Sequence, residues 1–263
     1  MAPQPVSSAI VIVPAHNEAA RIPSALAAVA SALGHLGKTH PQIRGRAVIA
    51  LDRCTDGTRD IVANHCARDT RFANVTGDFG SAGAARNAAA QRALGALPPG
   101  DSGHVWIACT DADSVVPPAW LQAQVNLADA GADLVAGAVD PNPAEIDPDL
   151  LAHWYRLHTD RLRTDQLPST QHAPQGTDVP QHIFGANLGI RASTYLALGG
   201  FRGSSAGEDR RLVEDAFRLG ARIVTEPVPR VLTSARTEAR APGGFGEYLS
   251  RLAQASGHRA RTG

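Results

Sequence analysis

Over the first 140 residues, short apolar runs alternate with stretches in which apolar positions recur every three or four residues. Ala9-Ile10-Val11-Ile12-Val13 is a continuous, largely β-branched run, the pattern of a parallel strand buried on both faces, and Pro14-Ala15-His16-Asn17-Glu18 breaks it. From Ala19 to Leu36, Ile22, Leu26, Val29, Leu33 and Leu36 carry helical spacing. The unit repeats: Ala47 to Leu51 runs into Asp52, Cys54 to Thr58 makes a turn, and Thr58 to Cys66 predicts a helix. Ala73 to Thr76 is a short strand followed by an Ala-rich helix from Gly80 to Leu97. Val105-Trp106-Ile107-Ala108-Cys109 is a fourth buried strand, Pro118 to Ala130 a fourth helix, and Leu134 to Val139 a fifth strand. This alternation predicts an α/β fold: a mostly parallel sheet with helices on both faces and right-handed crossovers.

After about residue 140 the pattern changes, and the smaller elements predict a minor antiparallel part in the C-terminal half. Asp147 to Arg163 predicts a polar helix carrying Leu150, Leu151, Trp154, Tyr155 and Leu157, while residues 164–181 have no period and predict a loop, long enough for a mobile or substrate-binding segment. Ile183 to Arg191 predicts a strand or strand pair in which glycine permits close backbone approach. A short helix spans Ala192 to Leu198, and Gly207 to Gly220 predicts another, with Leu212, Phe217 and Leu219 inward. Two strands (221–224 and 229–233), a helix from Gly246 to Ala255 and a frayed basic tail complete the chain.

The chemistry gathers at strand ends. The fourth strand stops at Thr110-Asp111-Ala112-Asp113, and alternate residues of an extended segment point the same way, so both carboxylates converge on one point. Two adjacent carboxylates repel unless a divalent cation lies between them, and all-oxygen ligands suit Mg2+ or Mn2+ completed by phosphate and water. Asp52 closes the second strand in the same manner and should open onto the same crevice. Plain roles compete with these: Asp56 before Gly57 is ordinary turn chemistry, and Glu18 suits the first turn of its helix. Glu208 and Asp209 begin a helix, where a carboxylate is stabilised and, beside a cleft, is placed to act as a general base. His172 and His182 lie in a polar, aperiodic stretch, a poor setting for metal ligands.

Composition sets the limits. Lys and Arg total 25 against 25 Asp and Glu, so nothing selects nucleic acid as a partner. The three cysteines, Cys54, Cys66 and Cys109, form no CxxC pair and predict free thiols in a cytoplasmic setting. No apolar run reaches the roughly 18 residues needed to span a bilayer, which leaves peripheral membrane contact open. Neither Gly-x-Gly-x-x-Gly nor a P-loop follows the first strand, against a nicotinamide or P-loop site.

Six ordered pieces carry a resemblance: Val13-Pro14-Ala15-His16-Asn17-Glu18, Asp52-Arg53-Cys54-Thr55-Asp56-Gly57-Thr58, Gly83-Ala84-Ala85-Arg86-Asn87, Thr110-Asp111-Ala112-Asp113, Gly185-Ala186-Asn187 and Gly207-Glu208-Asp209. From about residue 8 to 235 the chain resembles family 2 glycosyltransferases of the GT-A fold. The resemblance implies a nucleotide-diphosphate sugar donor and transfer to an acceptor hydroxyl with inversion. It implies that Pro14, His16 and Glu18 form the first nucleotide-contacting turn and that Asp52 meets the base. Arg86 would line the same pocket, Asp111 and Asp113 would hold Mn2+ or Mg2+ against the diphosphate, and Asp209 would deprotonate the acceptor. As domains it implies one GT-A unit over 1–263: a nucleotide-binding half (8–140), an acceptor-binding half (141–240) and a C-terminal helix and tail (241–263).

The chain also departs from that family. Leu51 stands where members often carry a second acidic residue, and the Gln-x-x-Arg-Trp of processive synthases is missing. Thr233-Ser234-Ala235-Arg236 occupies the region where some GT-A enzymes place a histidine ligand, so no third protein ligand is assigned. Two other classes remain open on sequence alone: a binding module that has lost turnover, and a sugar nucleotidyltransferase.

Overall fold

The computed structural model describes residues 4–98, 100–164, 183–201, 207–225, 229–236 and 244–255. The elements follow in the order β1 (Ser8–Ala15), α1 (Ile22–Thr39), β2 (Arg44–Asp52), α2 (Thr58–Arg68), β3 (Phe72–Gly77), α3 (Ala82–Leu94), β4 (Val105–Cys109), β5 (Ser114–Val115), α4 (Trp120–Asp129), β6 (Leu134–Ala136), β7 (Val139–Pro141), α5 (Pro148–Thr164), β8 (Leu188–Arg191), α6 (Ala192–Ala197), α7 (Glu208–Arg218), β9 (Ile223–Val224), β10 (Val231–Thr233) and α8 (Phe245–Ala255). Seven strands form the main sheet in the order β3-β2-β1-β4-β8-β6-β9, and β5-β10-β7 form a small second sheet.

β1 to β4 run parallel, β8 runs antiparallel to both β4 and β6, and β9 is parallel to β6. The chain builds outward from β1 through β2 to β3, then crosses back to place β4 on the other side of β1. That reversal is the topological switch point of an open α/β sheet, where a crevice opens beyond the carboxyl ends of the strands. Register brings those ends to one edge, with Ile12 opposite Cys109 and Ala15 opposite Leu51.

The unbroken apolar run of β1 follows from burial on both faces. Val11 and Val13 pack with Ile22, Leu26 and Val29 of α1 and Leu121 and Val125 of α4. Ile10 and Ile12 face the other way, onto Ala85 and Ala89 of α3, Tyr195 of α6 and Leu212, Val213 and Ala216 of α7. A third cluster joins Leu150 and Trp154 of α5 to Leu249 and Leu252 of α8.

Four expectations need correction. Helix α1 starts at Ile22 rather than Ala19, because the Glu18 carbonyl accepts from the Arg21 and Ile22 amides at 2.9 and 2.8 Å and Pro23 opens the first turn. The run 134–139 is not one strand: β6 and β7 belong to different sheets, separated where the Gly137 amide donates to Asn187 O (2.8 Å) and Asn187 Nδ2 donates to Ala138 O (2.8 Å). Residues 183–191 are not extended throughout, since a 3-10 turn at Gly185–Asn187 precedes β8. On α7 the inward face is Leu212, Val213 and Ala216, whereas Phe217 and Leu219 are 39% and 54% exposed. Positions i, i+1 and i+4 share a helical face, Phe217 is turned off it, and Leu219 lies beyond the last helical residue. In α5 the same period buries Leu150 and Trp154 and leaves Tyr155 and Leu157 exposed. His172, His182, residues 165–182 and the tail from Ser256 lie outside the described residues.

Candidate functional site

A cavity of about 540 Å³ opens at the switch point, and every sequence-selected candidate lines it: Pro14, His16, Glu18, Asp52, Arg86, Asp111, Asp113 and Asp209. The loops after β1 and β2 are tied into one wall. His16 Nδ1 lies 2.6 Å from Asp52 O, Asn17 Oδ1 accepts from the Thr55 amide at 2.8 Å, and the Glu18 amide donates to Thr58 Oγ1 at 2.8 Å. Asp56 does what its turn position suggests, accepting from the Thr58 amide at 3.0 Å, and it also accepts from the Ala19 amide at 3.0 Å. Asn17 and Arg53 adopt positive φ (51° and 46°), which for an arginine is backbone strain held beside a cleft. Burial opposes charge on Asp52, but the Phe79 and Gly80 amides (2.7 and 3.3 Å) and Arg53 outweigh it and hold the carboxyl below its usual range.

Arg86 is the hub of the opposite wall. It enters from α3, whose N-cap Ser81 accepts from the Ala84 amide at 3.2 Å. Only 3% of its side chain is exposed, yet it meets three carboxylates: Asp111 at 2.7 Å, Asp209 at 2.9 Å and Glu208 at 3.3 Å. Burial lowers its proton affinity, but Asp209, Asp111 and Glu208 more than compensate and keep it above the ordinary arginine range. Gly207, at φ 72°, starts α7 so that both acidic residues fall in its first turn. Asp209 also accepts from the Gly185 amide at 2.8 Å. Burial pushes the Asp209 carboxyl up to about 6, with Arg86 pulling it down and Glu208 and Asp111 adding to the rise. Gly185 is required for this approach, because a Cβ there would stand 2.3 Å from Arg86 Nη2 and 2.7 Å from Asp209 Oδ1. The sequence anticipated such a glycine-permitted contact, without its partners.

The two carboxylates after β4 line the same cavity, but they stand on a turn rather than on alternate positions of a strand. The strand ends at Cys109, and Thr110 to Asp113 form a turn closed by the Ser114 amide on Asp111 O at 3.1 Å. Asp111 therefore meets Arg86, whereas Asp113 meets a second arginine, Arg236, at 2.8 Å. Arg236 also grips Glu18, at 2.5 Å to Oε1 and 3.1 Å to Oε2. Burial and the charge of Asp111 push the Asp113 carboxyl up to about 6 against the pull of Arg236.

Around this floor Asp111, Asp113, Glu18, Glu208 and Asp209 share two guanidinium groups. That excess of carboxylate charge fits a hard divalent cation, which takes oxygen ligands and is completed by phosphate and water. Among the described residues no group of three or more His, Cys, Asp or Glu side chains is arranged around one metal position. Sequence reasoning left Arg236 without a role: it is 218 residues from Glu18, and no local pattern joins the two. The aromatic side of the cavity, Phe184, Phe245 and Tyr248, was also missed, because the three residues come from two distant segments.

A switch point between β1 and β4, carboxylates on the turn after β4 and an antiparallel β8 define the GT-A class of α/β proteins. The profile of glycosyl transferase family 2 matches residues 10–188, and the chain belongs to that family. Its fold is similar to that of S. aureus TarS 1–349 in complex with UDP-GlcNAc, at 16% identity and TM-score 0.65 over 97% of this chain and 68% of that one. It is also similar to the mannosyltransferase PcManGT from Pyrobaculum calidifontis in complex with GDP-Man and Mn2+ (18% identity, TM-score 0.57, 90% of this chain and 59% of that one). A third likeness is to mannosyl-3-phosphoglycerate synthase from Rubrobacter xylanophilus (15%, 0.52, 95% and 71%). No curated protein matches the chain. The family, together with this fold, supports a transferase that moves glycosyl groups. No helix among the described residues is long and apolar enough to cross a membrane.

Proposed function

We propose that this chain transfers a sugar from a nucleotide-diphosphate donor to an acceptor hydroxyl by a single displacement with inversion. One observation carries the reading: a single buried guanidinium, that of Arg86, touches both Asp111 at the donor turn and Asp209 at the opposite wall. The donor carboxylate and the base thus face one reaction space.

Pro14, His16 and Glu18 form the nucleotide-contacting turn, and Asp52 accepts from the base or ribose as it now accepts from backbone amides. Asp111 and Asp113 are the ligands for Mn2+ or Mg2+. When bound, the cation supplies positive charge to the donor diphosphate and to the departing nucleotide. Arg86 orients Asp111 and Asp209 relative to each other. Asp209, with its carboxyl raised to about 6, is deprotonated at neutral pH yet basic enough to take the acceptor proton as the new bond forms. Gly185 holds the carboxylate through its amide, leaving Arg86 to guard the other oxygen. The complexes of TarS with UDP-GlcNAc and of PcManGT with GDP-Man support a nucleotide-sugar donor, and the Mn2+ in the latter supports the metal. Residues 8–140 serve the donor, 141–240 the acceptor, within one unit, and the free thiols suit a cytoplasmic setting.

The test is thermal stabilisation by UDP, GDP, dTDP and ADP, each with and without Mn2+, since a ligand that binds only the folded state raises its stability. A shift with one diphosphate that requires Mn2+ is expected and names the nucleotide. No shift with any of them sinks the donor-site reading, and binding without turnover of the matching sugar nucleotide would make the chain a binding module.

A further inference from the structure

Arg236 occupies a position that the charge pattern of the pocket reserves for a cation. Its guanidinium lies between Glu18, 6% exposed, and Asp113, the carboxylate of the donor turn. The backbone beneath it is fixed: Glu145 Oε2 accepts from Ser234 Oγ at 2.6 Å and from the Ala235 amide at 3.1 Å, and the Arg236 amide donates to Ser234 Oγ at 3.4 Å. The side chain is therefore the part free to change partners. It lines the cavity beside Asp111, Asp113 and Thr233, and a guanidinium offers the fork that matches a phosphate as well as a carboxylate.

Resting on the nucleotide-sugar reading of the pocket, we propose that Arg236 is a diphosphate-binding residue that stands in for divalent metal until the donor arrives. In the free enzyme its guanidinium neutralises Glu18 and Asp113 and keeps the carboxylate floor from collecting a cation by itself. When a nucleoside diphosphate enters, Arg236 turns from Asp113 onto the phosphate oxygens, and Asp113 is released for the metal that accompanies the donor. Metal and donor then bind as a pair rather than one after the other. Both partners of the exchange are oxyanions, so no unpaired charge is created at any stage.

The decisive measurement is Mn2+ binding in the absence of nucleotide, by the loss of the free-ion paramagnetic resonance signal, for the parent and for Arg236→Gln and Arg236→Lys. Arg236→Gln removes the cation but keeps two N–H donors, so that Glu18 and Asp113 are not left bare. It should bind Mn2+ about tenfold more tightly than the parent, because affinity for a hard cation climbs with the carboxylate charge available to it. Arg236→Lys, which keeps the positive charge, should bind Mn2+ as the parent does. In a companion titration with Mn2+ present, Arg236→Gln should lose affinity for the nucleoside diphosphate, because the fork that meets the phosphate oxygens is gone. Unchanged Mn2+ affinity in a folded Arg236→Gln protein, or the same gain in Arg236→Lys, would overturn the proposal. Failure of the donor reading looks different: the parent would then bind no diphosphate with Mn2+, while the comparison of Mn2+ alone would still decide the role of Arg236.

Discussion

Replacing Asp209 by Asn separates what this carboxylate does for the reaction from what it does to the fold. Its carboxyl is raised from an ordinary 3.8 up to about 6. A group held above its usual value favours the folded state only while protonated, so its contribution is intact below about pH 4 and is lost as pH rises through about 6. Moving a carboxyl that far costs about 3 kcal/mol at neutral pH, at 1.36 kcal/mol for each tenfold change in proton affinity. The amide is neutral and escapes that cost. It cannot, however, accept from both Arg86 and the Gly185 amide as the carboxylate does. Facing one donor with an NH2 group costs about 1–2 kcal/mol, which leaves a net gain of about 1–2 kcal/mol above pH 6. Arg86 keeps Asp111 and Glu208 as partners in the variant. Urea denaturation of both proteins at pH 4.5 and 7.5 reads the difference directly. Asp209→Asn should be the more stable at pH 7.5 and should lose that advantage at pH 4.5, whereas turnover should fall by about 10²–10⁴ at pH 7.5, the usual contribution of a positioned base, and by much less at pH 4.5, where the parent's own carboxyl is mostly protonated. Asp113, raised in the same direction, titrates in both proteins and drops out of the comparison. A variant less stable than the parent at pH 7.5, or one that retained turnover, would refute the reasoning.

Arg86→Met should destabilise by about 3–5 kcal/mol in denaturant titrations, because Asp111, Glu208 and Asp209 would face one another without their cation. Gly185→Ala should lose about 1–3 kcal/mol and most of its turnover, since the added methyl falls on Arg86 and Asp209; parental kinetics would show that the contact yields freely.

The parts legible in the sequence were those set by neighbouring residues. The apolar run of β1 and the period of α1 announced an alternating α/β chain, because burial on both faces of a strand and on one face of a helix leaves a local record. Asp52, Asp111 and Asp209 could be selected because each stands at the end of a strand or the start of a helix, where chain ends meet a crevice. The glycine at 185 could be suspected too, although what it approaches could not.

What the tertiary structure decided was the pairing. That Asp111 pairs with Arg86 and Asp113 with Arg236 follows from a turn that starts just after β4 and from two arginines 150 positions apart. The split of residues 134–141 between two sheets, and the outward turn of Phe217, depend on which neighbours claim each hydrogen bond and each face. A sequence fixes where charge can be placed along the chain, because residue type and local period travel with it. Which charges share one low-dielectric pocket is settled only when distant segments pack, and there a few ångströms separate a solvated carboxylate from one raised to about 6.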